Sequence, residues 1–187
     1  MQAERGRLRS KRVWDETIVR ERDDVAGEAR RAGTEANLGC LFGLCTEKNS
    51  EQPEGHPSRK YKGRVVFQGN RVVNQNWQRA IFEDLGNAPA TMDASRAADC
   101  YGRVPGHAIE MADAEQAYTQ AALGGTACWT CLPPEQRPAS WARHRRPVCQ
   151  LRKALYGHPD SGAYWEARCD SCARQVGHAP AGEGWPS

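Results

Sequence analysis

The feature that most constrains the fold is a short alternating stretch, KYKGRVVFQGN, at residues 60 to 70. It alternates basic and apolar side chains ahead of a glycine. A period of two is typical of a half-buried β-strand, because successive side chains of a strand point to opposite faces. The pattern places Lys60, Lys62 and Arg64 on one face. These aligned cations could hold phosphate groups, or they could form a solubilising face that protects the edge of a sheet.

The chain offers few side chains for a hydrophobic core behind such a strand. Val, Leu, Ile and Phe account for 25 of the 187 residues, a share typical of disordered chains. The formal net charge is only +3, however, and the six Trp and eight Cys residues favour order. The balance predicts a folded but marginal unit, as one domain of ordinary size or two small ones.

The sequence also indicates where such a chain would reside. No run approaches the roughly 20 apolar residues that span a bilayer, and the basic N-terminus MQAERGRLRSKR lacks the apolar segment of a secretory signal. The cysteines are too sparse and irregular for a disulfide scaffold, so we expect most of them to be small buried hydrophobic residues. These patterns predict an intracellular protein, cytoplasmic or nuclear, without membrane contact.

Helical spacing dominates the region before the alternating stretch. Residues 14 to 32 place apolar side chains on one helical face, and Gly33 stands where it would end the helix. Asp23 and Asp24 fall among the arginines of this predicted helix and are interpreted as solvated charges. Residues 37 to 48, NLGCLFGLCTEK, have the length and composition of a strand, and a polar loop follows.

Patterns of both helices and strands are also found in the second half of the chain. Asp113 lies where a predicted strand runs into a short helix. The predicted elements are a turn and helix at 88 to 102, a buried strand leading into a short helix at 106 to 118, two strands at 126 to 134 and 145 to 157 joined by a Pro-rich loop, and a helix from about Ser161 to Gln175.

Two CxxC pairs form the strongest formal signature of a metal site, since four thiolates can hold zinc. They are Cys128 with Cys131 and Cys169 with Cys172. The first pair lies in ACWTCL, whose strand formers would point the two thiols to opposite faces, and the second pair lies in a predicted helix. A zinc-binding module therefore remains a less favoured alternative.

Four segments together resemble the reverse transcriptase domain of copia-type retrotransposon polyproteins. They are, in order, KGRVVFQG, APATMDASR, EMADAEQAY and LRKALYGHPDSGAYW. The family patterns are close to KARLVARG, APVARMDTIR, QMDVKTAFL and LKKALYGLKQAPRAWY. The forms KYKGRVVFQGN and LYGHPDSG are similar to divergent copia elements of dinoflagellate genomes. The resemblance spans residues 14 to 180, so residues 1 to 13 are interpreted as a basic N-terminal arm and 14 to 187 as the domain itself.

The resemblance implies a site for nucleotide addition. In this family, two Mg²⁺ ions held by palm carboxylates activate the primer and stabilise the charge on the transferred phosphate. Asp113 corresponds to the first of these carboxylates, and the backbone carbonyl of Ala114 to a second metal donor. Lys62 and Arg64 correspond to the fingers cations that hold the incoming deoxynucleoside triphosphate.

Two further residues have counterparts in the family. Tyr118 matches the aromatic residue that closes the sugar pocket and excludes a ribose 2′-hydroxyl, a steric filter that needs a rigid ring. Gly157 matches the glycine of the LYG turn, which packs near the nucleotide. The chain departs from the family directly after this turn, where HPDSG replaces a segment that usually carries Lys and Gln.

The resemblance thus implies an α+β fold of fingers and a partial palm. The palm is expected to be incomplete at the C-terminus, since no pair of aspartates like that of the family's YVDD hairpin follows the LYG segment. Its implied partners are an RNA or DNA template-primer, deoxynucleoside triphosphates, Mg²⁺ and the remainder of the polyprotein. Three functions compete: a polymerase active alone, a non-specific nucleic-acid-binding module that uses the basic strand and the RHRR loop, and a gene fragment without its own function. The missing aspartates argue against the first, and we favour the third, with binding second.

Overall fold

A five-stranded β-sheet organises the residues that the structure, a computed structural model, describes: 2–82 and 90–179. Short 3₁₀ helices lie between the main elements, and one of them, Ala117–Gln120, borders the candidate site. The main elements are α1 (Gln2–Ser10), β1 (Trp14–Glu21), α2 (Arg22–Ala32), β2 (Ala36–Lys48), β3 (Lys60–Phe67), α3 (Met92–Gly102), β4 (Ala127–Cys131), β5 (Pro147–Leu151) and α4 (Ser161–Gln175).

Strand β2 joins the two parts of the sheet, whose order is β1-β5-β4-β2-β3. Its first residues pair with β4 in parallel, from Ala36 opposite Ala127 to Cys40 opposite Cys131. Its remainder, from Leu41 onward, pairs with β3 in antiparallel register. The α+β class is therefore confirmed, and β3 is carried at one edge of the sheet by the second half of β2.

Several predicted elements are confirmed near their expected bounds. The alternating stretch forms β3, residues 37 to 48 lie in β2, and β4 and β5 pair as antiparallel neighbours. Helix α3 lies within the predicted 88 to 102, of which residues 88 and 89 fall outside the described part of the chain. Helix α4 spans Ser161–Gln175 as predicted. None of the helices in the described residues is both long and apolar enough to cross a membrane.

The helix predicted for residues 14 to 32 was wrong in its first half. Residues Trp14–Glu21 form β1, which pairs with β5, and only Arg22–Ala32 are helical. The run Thr17-Ile18-Val19 consists of β-branched residues that favour an extended backbone. The predicted end is confirmed, because Gly33 adopts the left-handed conformation with φ of 63° and caps α2.

The buried strand predicted within residues 106 to 118 was also wrong. Residues 107–114 form no strand, and they are exposed, with Met111 at 92%. The large apolar side chains of the segment are Met111, which is exposed, and Ile109, which packs on Gly102 but stays 48% exposed. Tertiary packing therefore leaves it as an irregular surface segment, which ends at the 3₁₀ helix Ala117–Gln120.

Two hydrophobic clusters form the core. Helix α1 contributes Leu8, only 1% exposed, to the larger cluster, so part of the basic N-terminal arm packs against the body. Helix α2 covers the smaller cluster with Val25, Ala26 and Ala29. The larger cluster includes Val13, Leu41, Val65, Phe67, Cys128, Leu132, Trp141, Cys149, Leu151 and Leu155, and the smaller one also includes Ala36, Leu38 and Val148.

The cysteines differ from the expectation that most are small buried hydrophobic residues. Cys40 and Cys131, opposite each other on β2 and β4, form a disulfide with their Cα atoms 4.6 Å apart. Cys128 and Cys149 are buried, and burial raises the pKa of the Cys128 thiol to about 12. The other free cysteines are exposed or half-buried. Parallel pairing of β2 with β4 explains the disulfide, since it brings residues 91 apart in sequence face to face.

A tight turn after β5 fixes the chain against β3. The backbone N–H of Phe67 donates to the carbonyl of Tyr156 at 2.7 Å. Gly157 follows with φ of 84°, and a Cβ at this position would overlap the carbonyl oxygen of Phe67. Both the left-handed backbone and the close approach require glycine here.

Replacing Gly157 by Ala should therefore destabilise the protein more than replacing Gly55. Gly55 has nearly the same φ, 83°, but a Cβ there meets nothing within 4 Å. We expect a loss of about 1 kcal/mol in the free energy of unfolding for Gly55→Ala and about 2–4 kcal/mol for Gly157→Ala, measured by urea denaturation. Equal losses would mean that the contact with Phe67 is not tight.

The disulfide should be detectable by thiol titration. Unfolded, unreduced protein should expose six reactive thiols, and reduction should raise the number to all eight. Reduction should also lower the free energy of unfolding by about 2–4 kcal/mol, because it frees a long loop in the unfolded state. Cys45→Ala, at an exposed free cysteine, is the control and should leave the effect of reduction unchanged. Eight thiols without reductant would contradict the bond.

Candidate functional site

A groove of about 600 Å³ brings together residues from distant parts of the chain. Lys62 and Arg64 line it from β3, and Asp113 and Ala114 line it from the irregular segment before the 3₁₀ helix. Tyr156, from the turn after β5, completes the groove. Four of the six residues that the sequence singled out thus line one groove.

The β3 wall of the groove is basic. Lys62 and Arg64 are exposed, and neither has a carboxylate within 4.0 Å among the described residues. The Arg64 guanidinium lies over the ring of Tyr156, 5.7 Å from its centroid, which orients the cation without neutralising it. Lys48, across the strand pair from Lys60, adds a third cation to the lining.

The second wall is acidic and precedes a turn with unusual backbone geometry. Asp113, Ala114 and Glu115 are exposed there. Gln116 has φ of 52°, and its carbonyl accepts a hydrogen bond from the buried Thr119 hydroxyl at 2.9 Å. This hydrogen bond fixes the turn at the end of the wall. The carboxylates and the β3 cations line the same groove.

Tyr118 lies behind the groove rather than in its lining. It is half-buried, and its ring packs edge-on against Tyr156, with the centroids 5.0 Å apart. Tyr156 in turn carries the Arg64 guanidinium. In this structure Tyr118 therefore supports the ring that lines the groove, and its predicted role as a sugar filter stays a prediction.

Gly157 also acts from behind, by allowing the turn that carries Tyr156 to approach β3. The next residue, His158, is buried between the rings of Phe67 and Phe82, at 5.1 and 5.3 Å. Burial lowers the pKa of His158 to about 4, so the imidazole is neutral at pH 7. The HPDSG segment that departs from the family pattern is thus partly a packing element.

Sequence reasoning missed several residues of the groove. Tyr156 directly precedes Gly157 in the LYG motif, so the motif predicted its neighbour as a site residue but not Tyr156 itself. Helix α1 was not predicted at all, yet it supplies Glu4 and Arg7, which form an ion pair of 2.8 Å three residues apart. That spacing, with Leu8 beside it, was the available signal for a helix.

The metal ions implied by the resemblance do not fit the described residues. No three His, Cys, Asp or Glu side chains stand together as a metal site anywhere in the described ranges. Asp113 is one carboxylate, and a pair of Mg²⁺ ions needs several fixed oxygen ligands. The zinc alternative does not fit either, since Cys131 is bonded to Cys40 and Cys128 is buried, and no group of three metal ligands that includes them occurs among the described residues.

Three of the four sequence segments from which the resemblance to copia-type reverse transcriptases was predicted contribute residues to this groove. The remaining segment, APATMDASR, runs into α3, which does not line the groove. Comparison of the chain with family models, with curated proteins and with solved structures found no match in any of the three.

Proposed function

We propose that the chain corresponds to the fingers and part of the palm of a copia-type reverse transcriptase domain, and that its groove binds the phosphates of a nucleotide or nucleic-acid strand. One observation carries the proposal: Lys62, Arg64, Asp113 and Ala114, chosen from separate family motifs, line a single groove. Motifs matched by chance along a chain would have no reason to converge in space.

The chemistry of the β3 wall suits phosphate. Lys62 and Arg64 are exposed cations without a carboxylate partner in the described part of the chain, so an anion can approach both without breaking an ion pair. A guanidinium offers paired donors to phosphate oxygens, and an ammonium adds a point charge. Neither group reads a base, so binding through this wall is independent of sequence and sensitive to salt.

The acidic wall, with Asp113 and Glu115, has too few grouped carboxylates for catalysis of nucleotide addition. A triphosphate that carries its own Mg²⁺ could place the ion near Asp113 and its phosphates near Lys62. Nucleotide addition in the family needs a second ion and several carboxylates gathered around both ions, and no such group of three ligating side chains occurs among the described residues. The groove therefore accounts for binding, and not for polymerisation by these residues alone.

A second candidate function is a non-specific nucleic-acid-binding module based on the loop before β5. Arg143, Arg145 and Arg146 in this loop are exposed. Their backbone is held in place, because the Glu21 carboxylate accepts hydrogen bonds from the N–H groups of Arg145 and Arg146. Contacts from this loop would give the same salt-sensitive binding without the groove.

Salt dependence of binding tests the groove against the loop. In the double variant Lys62→Ala/Arg64→Ala, we expect weaker binding of single-stranded oligonucleotides. The slope of log affinity against log salt should fall by about 1.4, because two phosphate contacts are lost. Fluorescence anisotropy with a labelled oligonucleotide at several salt concentrations measures the slope.

The control is Arg103→Ala/Arg168→Ala, which removes the same charge from exposed residues outside the groove. Its slope should stay close to that of the unchanged protein. If the groove variant keeps the full slope while Arg143→Ala/Arg145→Ala loses it, the loop is the binding site and the groove proposal fails.

Polymerase activity tests the assignment of Asp113. The unfused chain should show no templated synthesis with Mg²⁺ or Mn²⁺. Fusion to the downstream palm segment of a copia-type element, with its aspartate pair, should restore synthesis. In that fusion, Asp113→Asn should remove activity by several orders of magnitude, since it deletes a charged ligand shared by both ions.

Tyr118→Ala in the same fusion should leave synthesis measurable while admitting ribonucleotides, which primer-extension assays can compare directly. The matched control is Tyr101→Ala, at an exposed tyrosine on α3 outside the groove. An active fusion that is indifferent to Asp113→Asn, or strong synthesis by the unfused chain, would show that Asp113 is not the first carboxylate.

A further inference from the structure

A surface tryptophan is held in an unfavourable backbone conformation next to α2. Trp77 has φ of 64°, a region that bulky residues rarely adopt, and its side chain is 43% exposed. The turn around it is well ordered by hydrogen bonds. The Asn74 side chain accepts from the N–H groups of Asn76 and Gln78, at 2.9 and 3.1 Å, and the Trp77 N–H donates to the Asn74 carbonyl at 3.0 Å.

The turn is also attached to α2 by two arginines. The Arg30 guanidinium donates to the Gln75 carbonyl. At the other end of the helix, the Arg22 guanidinium lies over the Trp77 ring, 5.0 Å from its centroid. The indole is therefore fixed in place although much of it is open to solvent, an arrangement that preserves an aromatic surface.

A second guanidinium stands beside this pair. The backbone N–H of Arg22 donates to the carbonyl of Arg146 at 3.0 Å, so the two side chains start from neighbouring backbone positions. The loop of Arg146 is fixed by hydrogen bonds from its backbone to the Glu21 carboxylate. Arg146 is 57% exposed, and its closest carboxylate contact is a long one, 4.0 Å to Asp23.

The two cations disfavour each other. Burial lowers the pKa of Arg22, and the neighbouring positive charge of Arg146 lowers it further, against the opposing effect of Asp23. An anion placed between the two guanidinium groups would relieve this repulsion, and phosphate oxygens match guanidinium donors in geometry. We call Trp77, Arg22 and Arg146 the tryptophan patch.

We propose that the tryptophan patch binds single-stranded nucleic acid, with an unpaired base stacked on the face of the Trp77 ring opposite the Arg22 guanidinium and the adjoining phosphate held between Arg22 and Arg146. An aromatic ring beside paired cations is the combination that binds single strands without sequence preference, because every base has a stacking face. A duplex offers its bases only by their edges and cannot stack on the indole. The patch shares no residue with the groove, so it is a separate contact.

An abasic strand separates stacking from charge. Labelled oligo(dT), oligo(U) and an abasic deoxyribose-phosphate oligomer of the same length are compared by fluorescence anisotropy at low salt. We expect Trp77→Ala to weaken oligo(dT) and oligo(U) binding about tenfold and to leave the abasic oligomer within about twofold. Trp77→Phe should retain most of the affinity because its ring still stacks. Arg146→Ala should weaken all three oligomers alike.

Tyr101→Ala, at an exposed aromatic residue on α3, is the matched control and should change none of the affinities. Repeating Trp77→Ala in the Lys62→Ala/Arg64→Ala background should give the same fold-change, which separates the patch from the groove. Where Trp77→Ala lowers the melting temperature below the assay range, Trp77→Leu keeps an apolar side chain without an aromatic face and replaces it.

The proposal is overturned by either of two results with folded protein. If loss of Trp77 weakens the abasic oligomer as much as oligo(dT), the patch is only a phosphate contact. Alternatively, the non-aromatic variants could bind all oligomers as the unchanged protein does, which would make Trp77 a purely structural anchor of its turn on α2.

Discussion

The packing of the Phe67 ring over Gly39 is the contact on which the arrangement of the groove depends. A Cβ at position 39 would overlap this ring, so glycine in β2 lets the Phe67 side chain at the end of β3 lie directly on the sheet. Two backbone hydrogen bonds complete the attachment, from Phe67 N–H to the Tyr156 carbonyl and from Gln68 N–H to the Cys40 carbonyl. Because β3 is held at this end, the cations farther along it are presented beside Tyr156.

The groove combines an accessible basic wall with a sparse set of carboxylates, and these two halves support different chemistry. Phosphate binding needs cations that are exposed and unpaired, a condition that Lys62 and Arg64 meet among the described residues. Metal-dependent transfer needs oxygen ligands fixed within a few ångströms of one another, and Asp113 lies instead on an exposed irregular segment. Affinity for a polyanion can therefore exist without the positional accuracy that catalysis requires.

Local sequence signals predicted the strands and helices whose patterns are simple. The alternation in β3, the strand formers of β4 and β5 and the helix at Ser161 all carry their own periodicity. The predictions for residues 14 to 21 and 107 to 114 were wrong for one reason: the spacing of charged and apolar residues fits more than one kind of element. Residues 14 to 21 form a strand because β5 pairs with them. Residues 107 to 114 form no strand, since none of the described strands pairs with them. Four of the six residues chosen by motif line the groove, whereas Lys48 and Tyr156 enter it through long-range packing of β2 and of the turn after β5.

The disulfide between Cys40 and Cys131 is a covalent link between distant parts of the chain, in addition to the backbone itself. The loop that it closes contains β3 and the Asp113 segment, while α1 and Tyr156 lie outside it. A protease that cuts once in the exposed loop between β2 and β3 would therefore release no fragment from the oxidised protein. The nicked chain would keep its mass in a non-reducing gel and separate into two pieces only on reduction, so redox state decides whether such damage is tolerated or dismantles the protein.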